Sequence, residues 1–156
     1  MQGTVAEAIE HATLEVFALM VGVEIVAESQ NPLAWPRLES NIVSSFRLSG
    51  SITGTAQVYY TLPLAKRMTR QILQVDAPVG EMDVLDAAGE VANMIVGSVK
   101  NSLENRCGPI QIGTPAVEIT AVRAPMPRAL SLSFRCYGDV FTVSVAFQED
   151  DKRWEN

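Results

Sequence analysis

The stretch Asp86-Ala-Ala-Gly-Glu-Val-Ala-Asn-Met-Ile-Val-Gly-Ser-Val-Lys-Asn101 has a helical pattern and two residues that oppose it. Around and through it, Val84, Ala88, Val91, Ala92, Ile95, Val99 and Leu103 recur at three- and four-residue steps. That spacing is the apolar stripe of a helix lying on a core. Asp86, Glu90, Asn93, Gly97, Lys100 and Glu104 recur at the same steps on the opposite face. Glu90 and Asn93 are therefore neighbours one turn apart on the outer face. Asn93 and Gly97 are poor mid-helix residues, each costing about 0.5–1 kcal/mol relative to Ala. Asn competes for backbone hydrogen bonds and Gly loses the most chain entropy. Composition alone favours an ordinary solvated face, since exposed Glu and Asn are common; the cost of keeping Asn93 and Gly97 in line with a glutamate argues for a face that is used.

The same pattern occurs earlier in the chain. Glu15-Val-Phe-Ala18-Leu-Met-Val-Gly22 aligns with Glu90-Val-Ala-Asn93-Met-Ile-Val-Gly97 at a constant offset of 90 − 15 = 75 residues, with His11 opposite Asp86. A first helix is expected from about Thr4 to Gly22. Its core side is read as Val5, Ile9, Ala12, Val16, Leu19, Met20 and Val23, and its other face as His11, Glu15, Ala18 and Gly22. The repeat extends downstream. The segments from Leu48 through Gly54 to Tyr60 and from Leu130 through Gly138 to Val145 both read as strand, glycine turn, strand. A period near half the chain suggests two related halves, not a solenoid.

Between the halves, Thr61-Leu-Pro-Leu-Ala-Lys-Arg-Met reads as the start of a helix capped by Thr61, with Pro63 accommodated in its first turn and Ala65, Met68 and Ile72 facing inward. Loop signals fall at Asn31-Pro32, Trp35-Pro36, Gly108-Pro, Gly113-Thr-Pro115 and Ala124-Pro-Met-Pro127, and Asp150 to Asn156 reads as a polar tail. The expectation is one α+β domain over residues 1–156, with pseudo-repeat halves at about 4–75 and 80–150. It has two layers: a mainly antiparallel sheet and two long pseudo-symmetric helices side by side on one face.

Composition narrows the functional classes. The chain has 156 residues, 47% apolar and 19% charged, which suits a folded domain with a sizeable core. A net charge of −6 argues against nucleic acid as the main partner and leaves room for a protein with a basic rim. The most apolar run, Val16 to Val23, meets Glu24 after eight residues, far short of the roughly 20 needed to span a membrane. Met1 to Gly22 lacks the basic start and cleavage site of a secretion signal. Cys107 and Cys136 form no CxxC arrangement. The reading is a cytoplasmic protein with free thiols and no membrane association.

Common catalytic patterns are missing: GxSxG, HExxH, a phosphate-cradling lysine loop and a dinucleotide-binding glycine loop. His11 is the only histidine, so a histidine-rich metal site cannot be built, and no cofactor of the chain's own is expected. Lys66, Arg67 and Arg70 form a basic cluster, read as a solvated helix face. That leaves Glu90 and Asn93 as the candidate catalytic residues. A neutral amide is too weak a base to deprotonate water, yet it can hold one water in a fixed orientation. A carboxylate one turn away can pair with a visiting Lys or Arg. Such a pair suits phosphoryl hydrolysis, where catalysis is largely positioning and charge stabilisation, provided a partner supplies the rest.

Gly89-Glu90-x-x-Asn93-x-x-x-Gly97, set in this helix and in the half-chain repeat, resembles the signature helix of the CheC/CheX/FliY chemotaxis phosphatases, most of all CheX. The resemblance implies hydrolysis of the phospho-aspartate of a CheY-type response regulator, with Asn93 orienting the attacking water and Glu90 pairing with a regulator lysine. It places Mg²⁺ in the partner regulator. It also implies a homodimer. The first copy has Glu15 but Ala18, departs from the motif, and is expected to be silent. Two other readings stand beside this one: a non-catalytic module that binds a receiver domain or other signalling protein, and a structural component of a flagellar-switch type.

Overall fold

A computed structural model gives the structure of the chain and describes residues 2–28, 41–120, 126 and 128–148. Helix α1 (Gln2–Val16) runs into a π-helical turn (Phe17–Val21), followed by strands β1 (Val26–Ala27), β2 (Asn41–Gly50) and β3 (Gly54–Thr61). Helices α2 (Leu62–Leu73) and α3 (Glu81–Cys107) come next, then β4 (Ile110–Ile112), β5 (Ala116–Thr120), β6 (Leu130–Cys136) and β7 (Asp139–Phe147). The loops expected around Asn31-Pro32 and Trp35-Pro36 and the tail from Asp150 lie outside the described residues, as does most of Ala124–Pro127.

The strands form one antiparallel sheet in the order β1-β6-β7-β3-β2-β4. β5 pairs with Asn41–Ser45 of β2, while β4 pairs with Leu48–Gly50 of the same strand. Both expected hairpins are present. β2 and β3 are adjacent and antiparallel, and β6 turns into β7 through Tyr137 and Gly138, both left-handed at φ 53° and 81°. Two successive positive φ values give the turn whose twist suits a two-residue hairpin. The two hairpins meet where β3 pairs with β7.

Strand alternation separates two chemically different faces. One carries Ile42, Phe46, Val58, Tyr60, Leu132, Phe134, Phe141 and Val143, all buried. The three helices pack on this face, α3 touching both α1 and α2. Phe141 is the hub of its aromatic centre, with ring centroids 4.6 Å from Phe17, 5.3 Å from Phe134 and 5.6 Å from Tyr60. The other face is rich in hydroxyls: Ser133 meets Thr142 at 3.0 Å and Ser131 meets Ser144 at 2.7 Å. Val43 and Tyr59 form a small separate cluster there, with the Tyr59 hydroxyl donating to Gln57.

The helix-start signals are realised in α2. The Thr61 hydroxyl accepts from the Leu64 N–H at 3.1 Å, and proline occupies the first turn, where no intrahelical N–H is needed. Leu64, Ala65, Met68 and Thr69 are buried, and Ile72 is half-buried.

The first helix departs from its expected register. Leu19, assigned to the core, is 74% exposed, whereas Phe17 and Val21 are buried. The cause is the π-helical turn, in which the Gly22 N–H reaches back five residues to the Phe17 carbonyl at 2.9 Å. The wider turn rotates the following side chains relative to an α-helix, so Phe17 stacks on Phe141 and Leu19 swings outward. Gly22 ends the segment at φ 73°, a conformation glycine adopts without a Cβ clash. Among the described residues no helix is long and apolar enough to cross a membrane.

Candidate functional site

Helix α3 begins at Gly80 without a side-chain cap; Glu81 and Asp83 in its first turn complement the helix dipole. Its far end is held by Glu104, whose carboxylate accepts the Ile110 N–H at 2.9 Å and lies 3.5 Å from the Lys100 ammonium. The Ile110 hydrogen bond, more than Lys100, holds the Glu104 carboxyl below the usual range against a smaller opposing effect of burial. Gly108 then ends the helix at φ 96°.

Every residue of the expected core stripe, from Val84 to Leu103, is buried. Ala87, Gly89 and Val96 widen it. On the other side Asp86, Glu90 and Asn93 are exposed, and Gly97 is half-exposed. Among the described residues Glu90 and Asn93 form no hydrogen bond or ion pair, so carboxylate and amide are both open to a visitor. A Cβ built on Gly97 would meet nothing within 4 Å. Space there is open, and a partner can approach the helix backbone closely. Met94, 38% exposed, flanks Asn93 and adds an apolar contact.

Two features escaped the sequence reading. Gly89 is buried, and a Cβ there would come within 2.9 Å of Val117 Cγ2 on β5. The small run Ala87-Ala88-Gly89 was the available signal for this close approach. Strands β4 and β5 themselves sit between glycine and proline positions read only as loop.

The matching face of the first copy is arranged differently. Glu15 lies 3.3 Å from His11, one turn earlier, both exposed. Ala18 falls within the π-helical turn, and Gly22 terminates the helix where Gly97 continues it. Ala18 and Gly22 border an open, largely apolar groove with Leu14, Val23, Glu24 and Ile25. The remaining titratable candidates are set apart from α3's outer face: Cys136 is buried on β6, and Cys107 is half-buried at the end of α3, its thiol donating to the Leu103 carbonyl at 3.2 Å. Among the described residues no three His, Cys, Asp or Glu side chains are grouped as a metal centre would require.

An antiparallel sheet covered on one face by three helices, with an outward Glu-x-x-Asn on the longest, makes up an α+β domain. The chain belongs to the chemotaxis phosphatase CheX family, whose family model matches residues 42–121, a span that includes all of α3. Solved structures share the fold. The CheX chemotaxis protein of Desulfovibrio desulfuricans superposes with a TM-score of 0.77 at 21% identity, covering 92% of this chain and 99% of its own. CheX in the CheX–CheY–BeF3–Mg²⁺ complex of Borrelia burgdorferi gives 0.75 at 18% identity, covering 92% and 97%. FliY of Thermotoga maritima gives 0.68 at 16% identity, covering 96% and 89%. No curated protein sequence matches the chain.

Proposed function

We propose that this protein dephosphorylates the phospho-aspartate of a CheY-type response regulator, with Asn93 and Glu90 as the residues that act on it. The observation that carries the reading is the pairing on α3: an amide and a carboxylate one turn apart, both exposed and unengaged among the described residues, beside the open surface at Gly97. Family membership supports phosphatase activity in general, and the Borrelia burgdorferi complex provides a relative bound to a CheY protein.

In this mechanism the Asn93 amide enters the regulator's site and holds a water in line with the phosphorus. The water oxygen attacks, the bond between phosphorus and the aspartyl oxygen breaks, and inorganic phosphate and the free aspartate leave. The water's proton passes to phosphate or solvent, because an amide does not take it. Mg²⁺ belongs to the regulator and neutralises the charge on the phosphoryl oxygens. Glu90 accepts a hydrogen bond from a regulator lysine and fixes the approach, a charge-assisted contact that strengthens in a closed interface. The chain contributes position and charge, which is where most of the available catalysis lies.

The working unit in this reading is a homodimer, which sedimentation at micromolar concentration tests. The activity is tested by adding the purified protein to receiver domains phosphorylated with a small phosphodonor and following phosphate release. Acceleration of about 10-fold or more over the receiver's own decay is the expected result. Saturable binding with unchanged decay for every receiver would leave a docking module in place of a phosphatase.

A further inference from the structure

A second site lies away from the outer face of α3, in a cleft between α2 and the β6–β7 turn. The cleft is open to solvent, has a volume of about 510 Å³ and is lined by Arg67, Arg70, Gln71, Gln74, Asp76 and Tyr137. Steps of three and four residues place Arg67, Arg70 and Gln71 on one face of α2, and Gln74 follows as its left-handed cap at φ 57°. The turn supplies the opposing wall. Tyr137 sits at φ 53°, a left-handed conformation uncommon outside glycine, and its ring lies 3.9 Å beneath the Arg67 guanidinium carbon. The ring face attracts the guanidinium cation and holds it beside the turn, where its N–H groups can donate to a ligand. Arg70 is half-buried, and among the described residues neither arginine has a carboxylate within ion-pair distance.

Two guanidinium groups without counter-ions, in a protein of net charge −6, mark a local reversal of sign. A solvated face would leave such side chains spread apart. Here one is held on a ring, and both line a concave space large enough for a nucleotide-sized molecule. The amides of Gln71 and Gln74 add donors and acceptors, and Asp76 adds an acceptor that a plain anion would avoid. The complementary molecule carries a phosphate for the arginines and hydroxyl or amino donors for Asp76. We propose that this cleft binds a small phosphate ester whose remaining part presents hydrogen-bond donors. The proposal is independent of the chemistry assigned to Glu90 and Asn93.

Calorimetric titration of the whole protein with inorganic phosphate, AMP and adenosine tests it. AMP should bind saturably, roughly 10-fold or more tighter than phosphate, and adenosine should give no saturable heat. Arg70→Gln should weaken AMP roughly 10-fold or more. Arg67→Lys, which keeps the charge and loses the planar fork, should weaken it as well; circular dichroism of each variant secures the fold. The proposal is overturned if neither AMP nor phosphate binds saturably up to about 20 mM, a bound set by the weakest useful affinities. Adenosine binding as tightly as AMP, or folded Arg70→Gln binding as wild type, would overturn it equally.

Discussion

Gly89 of α3 and Val117 of β5 are in such close contact that a single added methyl on the glycine would lie 2.9 Å from Val117 Cγ2. The contact seats the signature helix against the edge of the sheet, immediately before Glu90. Gly89→Ala would gain up to about 1 kcal/mol of helix propensity, set against about 1–3 kcal/mol of overpacking. The expected net effect is destabilisation by about 1 kcal/mol, with Val117→Ala in the same chain relieving the crowding. Denaturant unfolding of the two single variants and the double variant measures the coupling. Additive effects would show that the contact does not constrain the helix.

Gly97 stands two turns further on the same helix and predicts the reverse. Nothing lies within 4 Å of a Cβ there, so Gly97→Ala should stabilise the fold by about 0.5–1 kcal/mol. Phosphate release from a phosphorylated receiver should fall all the same, because the methyl occupies space the partner needs. A variant that melts higher and works at the wild-type rate would show that the bare surface is not used.

The contrast between these glycines marks how far the sequence could be read. The stripe from Val84 to Leu103, the outward row Asp86–Glu90–Asn93, the Thr61 cap and both hairpins were legible because each depends on a local period or turn. Leu19 was misassigned because the π-helical turn answers to Phe17 stacking on Phe141, some 124 residues away in sequence (141 − 17). The Gly89–Val117 contact and the Arg67–Tyr137 stack are tertiary in the same sense. Their partners carry no local signal, and β4 and β5 were hidden by the glycines and prolines beside them. For the candidate site, residue types and spacing were readable, while the exposure and openness around them required the fold.

The first copy should stay silent even when its missing amide is supplied. Glu15 is drawn to His11 at 3.3 Å, and the π-helical turn begins at Phe17, between Glu15 and Ala18. The regular i,i+3 relationship of Glu90 and Asn93 is thereby lost. Glu15→Ala should leave phosphate release within about 2-fold of wild type, as expected for an exposed pair of little energetic weight. Adding Ala18→Asn to an Asn93→Ala chain should restore nothing. Recovery of activity in that double variant would show that the two faces are equivalent.

Stability should fall on the alkaline side. Burial pushes the Cys136 thiol from an ordinary 9.0 up to about 11, with Arg67 opposing and Asp139 adding to the rise. The folded state favours the protonated thiol, so this contribution is complete below pH 9.0 and is lost as pH rises towards about 11. Cys136 alone contributes at most about 1.4 kcal/mol per pH unit, the value for one proton, and above pH 10.0 Tyr59, Tyr60 and Tyr137, all raised by burial, steepen the decline. Tyr59, raised by burial to about 12, extends the decline to higher pH. Cys136→Ala should flatten the first part of the profile; denaturation curves collected across this range that keep the slope would place its origin elsewhere.

Asn93 is held in mid-helix, exposed and without a partner among the described residues, at a cost of about 0.5–1 kcal/mol relative to Ala. Its amide is the group on which the proposed hydrolysis depends. The most direct measurement is single-turnover phosphate release from a phosphorylated receiver by Asn93→Ala, made beside a melting curve. The expected result is a fold as stable as wild type or slightly more so, receiver binding retained through Glu90, and hydrolysis lowered on the order of 10²-fold, towards the receiver's own rate. An Asn93→Ala protein that hydrolyses as fast as wild type, or one that melts at a lower temperature and loses activity by unfolding, would contradict the catalytic role.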